Sequence, residues 1–149
     1  MSRIRIREAS WPADRQALEA VRCEVFIKEQ GVPRALEFDG LDAAALHWLA
    51  LTEDDRPVGT LRLLPSGQIG RMAVLPDFRG QRIGSRLLHH AIAAAEAHGW
   101  REVWLNAQYA RRSFYAPHGF IVISDIFEDA GIPHQRMLRR LNRGMAMAS

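Results

Sequence analysis

The sequence predicts one α/β (α+β) domain. Its core is a mixed central sheet of six to seven strands, flanked by about four helices. Three observations predict it. First, 149 residues suit one domain and are too few for two comfortable ones. Second, apolar periodicity changes along the chain in the order strand, helix, three strands, helix, strand, short helix, two strands. That order is neither strict βαβ repetition nor all-β, so strands of both directions share a sheet. Third, no repeat and no low-complexity linker interrupts it, so residues 1–149 read as a single unit, with 142–149 expected to fray.

Each element has its own signal. Arg3 to Glu8 alternates polar and apolar residues with Ile4 and Ile6 on one side, a first strand. Asp14 is placed to cap the helix that follows. Leu18, Val21, Arg22, Val25 and Phe26 keep helical spacing, and Gly31 stops it. From Gly31 to Leu46 no clean period appears, which predicts a loop with at most a helical turn. Leu46–Thr52, Val58–Leu64 and Ile69–Leu75 are short apolar runs separated by "EDDRP" and "PSG", three consecutive strands with turns between them. Ile83, Leu87, Leu88, Ala91, Ala94, Ala95 and His98 recur at three and four, a long helix that Gly99 terminates. Glu102–Ala107 reads as a strand, Arg111–Tyr115 as a short helix, Gly119–Ile126 as a strand, "EDAGIP" as a turn and Gln135–Leu141 as the last strand.

Composition excludes several classes. The chain is 48% hydrophobic and 25% charged, an ordinary globular balance. It has no apolar run of about 18 residues, which argues against a membrane span. The start, "MSRIRIREAS", lacks the apolar core of a signal peptide, so a cytoplasmic location is expected. One cysteine, Cys23, forms no internal disulfide and sits among apolar neighbours as a small core residue. A net charge of +3, with Lys28 the single lysine, fits an anionic partner. The arginines are scattered, including Arg136, Arg139, Arg140 and Arg143 near the end, and no groove-reading motif accompanies them, so nucleic acid is not the expected partner. His89 and His90 are adjacent rather than four apart, and no metal site is expected.

The stretch with chemistry in it is "PDFRGQRIGSRLL", Pro76 to Leu88, where a strand becomes a helix. A helix N-terminus offers four unpaired N–H groups and about half a positive charge. Gly80 and Gly84 let the backbone approach a ligand. Arg79, Arg82 and Arg86 add forked charge suited to phosphate. A P-loop is excluded because Ser85, not lysine, follows Gly84; a dinucleotide fingerprint is excluded because the spacing is G-x-x-x-G.

"RGQRIGSRLL" after "RMAV" resembles the acetyl-CoA motif of GCN5-related N-acetyltransferases (GNAT), R/Q-x-x-G-x-G/A. Arg79 matches its first position and Gly84 its last, while Arg82 replaces the middle glycine. "FYAPHGF" resembles the family's F/L-Y-x-x-x-G-F ending. More narrowly, "VFIKEQGVPRALEFDGLDAAALH", "LNAQ" and "GIPHQRM" are similar to the ElaA/YjcF-like branch.

The resemblance implies the GNAT fold and an acetyl-CoA-dependent N-acetyltransferase that moves an acetyl group directly to a primary amine of a small molecule or peptide. It implies that pantetheine lies between Gly70–Leu75 and Val103–Ala107. Met72, Ala73 and Val74 then pair with it, and the N–H of Ala73 or Met72 holds an oxyanion. Arg79, Gly80, Gln81, Arg82, Ile83, Gly84 and Ser85 would hold the pyrophosphate, with Asn106, Gln108 and Phe114 as further cofactor contacts. Tyr115 is the implied general acid, with His47 and His134 as bases. Glu37, Asp39 and Asp42 are the implied acceptor-side residues. The alternative is a non-catalytic acyl-CoA-binding sensor on the same fold. A homodimer paired through the last strand is a further expectation.

Overall fold

The computed structural model describes residues 3–141, so the expected fraying at 142–149 lies outside the described residues. Strand β1 (Arg5–Ala9) leads into helix α1 (Trp11–Arg22), which continues as a π-helical turn over Cys23–Glu29. A short helix α2 (Arg34–Glu37) and a 3₁₀ turn (Asp42–Ala44) occupy the predicted loop. Strands β2 (Leu46–Leu51), β3 (Pro57–Leu63) and β4 (Ile69–Val74) follow, then helix α3 (Ile83–Ala97) and strand β5 (Glu102–Gln108). Helix α4 (Arg112–Tyr115), strands β6 (Ile121–Val122) and β7 (Phe127–Asp129), and the long strand β8 (Ile132–Arg140) complete the chain.

The expected single sheet is two. β1–β2–β3–β4 form one antiparallel sheet; β5, β8 and β6 form the other, with β7 also on β8. Among the described residues the eight strands exceed the expected six to seven because the predicted Gly119–Ile126 strand shrinks to β6 and a further strand, β7, forms at Phe127–Asp129 where the turn was expected. Ser124 interrupts the predicted strand: its hydroxyl accepts the N–H of Arg136 at 2.8 Å, and its carbonyl accepts the Gln135 side chain at 3.0 Å. β6 and β7 are therefore two pieces on the same edge of β8. The "EDAGIP" turn is shorter than expected. Only Ala130 and Gly131 turn, at φ +53° and +78°, as a two-residue hairpin requires. β8 starts at Ile132 and has strands on both its edges, so it is not a strand that pairs across a dimer; the outer edges are β1 and β6.

Helix α1 begins one turn before Asp14. Ser10 is the N-cap residue, and Asp14 reaches back to accept its N–H at 2.9 Å while holding Arg7. Helix α3 unites the two sheets. Its stripe Ile83, Leu87, Leu88, Ala91 and Ala95 is buried against Val58, Leu61 and Leu63 of β3 and Val103, Leu105 and Ala107 of β5. Each fully buried leucine of this kind contributes roughly 1.5–3 kcal/mol. Gly59 permits the close fit: a Cβ there would lie 3.1 Å from Ala50 Cβ and 3.2 Å from Leu87 Cδ1. Gly99 ends α3 at φ +74°. Among the described residues no helix is long and apolar enough to cross a membrane.

Candidate active site

β4 and β5 run parallel, and among the described residues a single bridge, Gln68 with Trp104, joins them. Beyond it they splay. The gap is a cavity of about 610 Å³ with Met72, Ala73, Val74, Asn106, Gln108 and Tyr115 in its walls.

The hydrogen-bond alternation of an antiparallel ladder decides which β4 amides face this gap. Leu75 N–H donates to Val58 at 2.9 Å. The next pair in register, Gly59 with Val74, is therefore unbonded, and Thr60 with Ala73 is bonded. Val74, and Met72 two residues earlier, turn their amides to the gap; Ala73 turns its own to β3. This corrects the expectation for Ala73 as an oxyanion donor: its N–H belongs to the sheet. The ladder breaks opposite Leu61, where Arg71 adopts φ +48° in a bulge.

The cradle lies where β4 ends. The first α3 amide to find an intrahelical partner is that of Arg86, on the Arg82 carbonyl at 3.1 Å. The amides of Ile83, Gly84 and Ser85 precede it, and no side chain caps them. Gly80 and Arg82 both have positive φ, +80° and +64°. Arg82, standing where the resembled motif has glycine, thus takes the glycine conformation. A Cβ on Gly84 would meet Phe114 Cζ at 3.4 Å, so the helix start, an aromatic ring and the gap adjoin. Arg79, Gly80, Arg82, Ile83, Gly84 and Ser85 line the cavity, and Gln81 does not. The Arg79 guanidinium is committed elsewhere: to both oxygens of Glu29 at 2.7 and 2.8 Å and to the Val74 carbonyl at 2.9 Å. The expectation that its side chain seeks phosphate is corrected on that ground.

Tyr115 and His134 meet in the same cavity. Among the described residues the Tyr115 hydroxyl has no hydrogen-bond partner. Low-dielectric surroundings push this phenol up to about 12. His134 is buried, and its Nδ1 lies 2.7 Å from the Ile132 carbonyl. A carbonyl only accepts, so Nδ1 carries a proton, and in the neutral ring Nε2 is the nitrogen with the lone pair. Asn106 Oδ1 accepts from Arg136 at 3.0 Å, and Gln108 donates to Gln30 Oε1 at 2.9 Å.

The structure does not bring the remaining predicted residues to the gap as a group. Glu37, Asp39 and Asp42 form a network with Arg22, Arg62 and Arg71. Arg22, fully buried, bonds Glu37 and Asp42 at 2.8 Å each. Arg62 holds Asp39 at 2.9 Å and Asp42 at 3.2 Å; Arg71 holds Glu37 at 3.0 Å and Asp39 at 3.1 Å. Three cations face three anions, which leaves no free charge for an ammonium group. Glu37 touches the cavity; Asp39, Asp42 and His47 do not. Burial pushes the Glu37 carboxyl above its usual range against the pull of Arg71 and Arg22. Asp39 is lowered to about 2, because its hydrogen bonds and the charges of Arg62 and Arg71 outweigh its burial. His47 is 1% exposed, stacks on Trp11, and places Nε2 2.8 Å from the Asp42 carbonyl. Burial holds it below the usual histidine range. The geometry thus revises His47 from a candidate base, and Asp42 from an acceptor-side contact, to interior structure.

Five polar cavity residues escaped the sequence reading: Gln30, Gln68, Arg71, Arg111 and Asp129. Gln30 stands inside the "EQGVP" pattern, which was a usable signal. Arg71 and Asp129 reach the cavity through a bulge and a hairpin whose registers no local pattern reveals.

With this geometry in place, comparison with known proteins is informative. The acetyltransferase (GNAT) domain model matches residues 13–141. The chain is 37% identical over 123 residues to the uncharacterized N-acetyltransferase YjcF of Bacillus subtilis, covering 80% of this chain and 87% of that protein. It is 33% identical over 134 residues to protein ElaA of Escherichia coli, covering 84% and 86%. The crystal structure of E. coli ElaA superposes with a TM-score of 0.82 at 30% identity, covering 92% of this chain and 99% of that one. An acyl-CoA N-acyltransferase from Pseudomonas aeruginosa superposes at 0.81 and 29% identity with the same coverage.

Proposed function

The chain belongs to the GNAT family of acetyltransferases, in its ElaA/YjcF-like branch, and from that premise we propose that it transfers an acetyl group directly from acetyl-CoA to a primary amine. One observation carries the reading. The uncapped start of α3, the β4 segment whose amides turn from β3, Tyr115 and His134 all line one cavity. The fit to a pantetheine diphosphate rests on those bare amides and on the two positive-φ residues that bare them.

When bound, acetyl-CoA supplies an activated thioester carbonyl. The amides of Ile83, Gly84 and Ser85 hold its diphosphate, assisted by Arg82 and Arg111, whose charges no carboxylate takes up among the described residues. Val74 receives the pantetheine amide. The Met72 N–H would face the carbonyl oxygen, where a fixed donor would stabilise developing negative charge. His134 Nε2 accepts a proton from the ammonium nitrogen, directly or through one water. Tyr115 donates to the departing sulfur. Cys23 lies on the π-helical turn outside the cavity wall, with Arg34 at 3.4 Å from its sulfur, which favours direct transfer over an acyl-cysteine route.

The test has two arms. Calorimetry with acetyl-CoA and with CoA measures binding, and a free-thiol assay against aryl and alkyl amines, polyamines, aminoglycosides and peptides measures transfer. Binding with amine-dependent thiol release is expected. Binding without thiol release for any amine leaves the acyl-CoA sensor, and absence of binding refutes both.

A further inference from the structure

Arg71 stands where the β4 ladder breaks. Its φ of +48° is sterically unfavourable for a residue with a side chain and uncommon inside a strand. Such a conformation persists only where the surroundings over-determine it. Two sets of contacts do so. From β3, the Thr60 hydroxyl donates to the Arg71 carbonyl at 3.2 Å. From helix α2, the Leu36 and Glu37 carbonyls accept from Arg71 Nη2 at 3.2 and 3.1 Å; the Glu37 carboxylate meets Nε at 3.0 Å and the Asp39 carboxylate meets Nη2 at 3.1 Å.

We propose that Arg71 is a positioning residue: it ties the 34–39 segment, whose Leu36 and Glu37 line the cavity, to the β4 bulge, and the tied bulge fixes the direction of the neighbouring Met72 N–H. The last step rests on the acetyltransferase reading, in which that N–H meets the thioester oxygen; the tie itself does not. Charge pairing alone does not account for the contacts. Glu37 and Asp39 each have a second arginine, Arg22 and Arg62, and the pairing with Arg71 does not require its two main-chain contacts. What Arg71 adds is a forked grip on two main-chain carbonyls, which fixes the path of the loop. Glycine would take φ +48° without strain, yet it would leave the loop untied.

The variant Arg71→Gly separates the two roles, since it keeps the bulge conformation and removes the grip. Three readouts apply. Hydrogen exchange over residues 33–42 and 70–74 should accelerate at least about tenfold. Acetyl-CoA affinity should change less than about threefold. The carbonyl ¹³C resonance of bound [1-¹³C]acetyl-CoA, displaced downfield in the wild type by the Met72 N–H, should return toward its free position, with kcat falling about ten- to a hundredfold. Arg71→Lys should recover only part, because a single ammonium nitrogen replaces the Nε and Nη2 pair that together hold Glu37, Leu36 and Asp39. Thr60→Val releases the bulge from its other side. It should move the ¹³C resonance without accelerating exchange at 33–42, and it keeps the test decisive if Arg71→Gly folds poorly. Exchange and resonance both as in the wild type for Arg71→Gly would overturn the proposal. Failure of the wild type to bind acetyl-CoA would instead overturn the acetyltransferase reading, while the exchange data still decide the tie.

Discussion

Replacing Tyr115 with phenylalanine removes one oxygen and little else. Among the described residues nothing bonds that oxygen, so no partner is orphaned, and stability should change by no more than about 0.5 kcal/mol. The effect on turnover follows from proton affinities. Burial holds the phenol at about 12, whereas an ordinary thiol lies near 8.5, so complete transfer from phenol to thiolate in water is uphill by about 5 kcal/mol. The burial that raises the phenol also raises a departing thiolate beside it, which narrows the gap without closing it. Tyr115 therefore acts mainly as a hydrogen-bond donor with partial transfer. General acids contribute roughly 10²–10⁴-fold, and the mismatch puts Tyr115 at the low end, about a hundredfold in kcat. The sign of the pH dependence is fixed as well. The phenol stays protonated until the pH nears its raised value, so between pH 7 and 10 no loss of rate comes from its ionisation. The assay is thiol release at saturating acetyl-CoA and amine at pH 7 and pH 9, with calorimetry for acetyl-CoA on both proteins. A Tyr115→Phe enzyme within threefold of wild type at both pH values would refute the role. A tenfold loss of cofactor affinity would show that the hydroxyl binds rather than donates.

Two further outcomes follow from the interior. Gly59→Ala puts a methyl 3.1 Å from Ala50 Cβ and 3.3 Å from Ile83 Cγ2; the overpacking should cost about 1–3 kcal/mol, a Tm fall of roughly 3–10 °C by thermal scan. Because Ile83 begins α3, CoA affinity by calorimetry should fall several-fold in the same variant. His47 is held neutral by burial below its usual value, so the unfolded chain takes up its proton first. Stability is complete above about pH 6.5 and lost as pH falls through the folded value. Urea midpoints should drop between pH 7 and pH 5, and less so in His47→Gln.

The elements set by local spacing were legible. The stripe Leu18, Val21, Arg22, Val25 named the buried face of α1, Arg22 included, and Gly99 ended α3 where expected. The cradle was legible because its parts, two glycines and a helix start, are consecutive. Features set by distant partners were not. Glu37, Asp39 and Asp42 were expected as acceptor-side carboxylates, and nothing local shows that they are paired, because their arginines sit at positions 22, 62 and 71. His47 and His134 were equivalent as sequence; only the register that sets His134 opposite Gln108 brings one to the cavity. The break at Ser124 depends on a hydroxyl taking the N–H of Arg136, twelve residues away.

The two walls of the cleft differ in how much energy holds them. At the mouth, Glu29 and Gln30 cross from one sheet to the other: Glu29 to Arg79 beside the cradle, Gln30 to Gln108 at the end of β5. The ion pair is partly exposed, 31% and 40% for the two side chains, and contributes about 0.2–1 kcal/mol. The amide pair contributes about 0.5–1.5 kcal/mol. Opening the mouth thus costs at most roughly 2.5 kcal/mol, against about 8 kcal/mol for a ligand bound at micromolar affinity. The acceptor wall is different. Its Glu37 is gripped by Arg22 and Arg71 in a buried network, where removing one partner costs about 3–5 kcal/mol. On the acetyltransferase reading, a cofactor in the cavity would part these weak contacts before it moved the Leu36 and Glu37 side of the wall, so the acceptor would meet a surface set before the cofactor arrived.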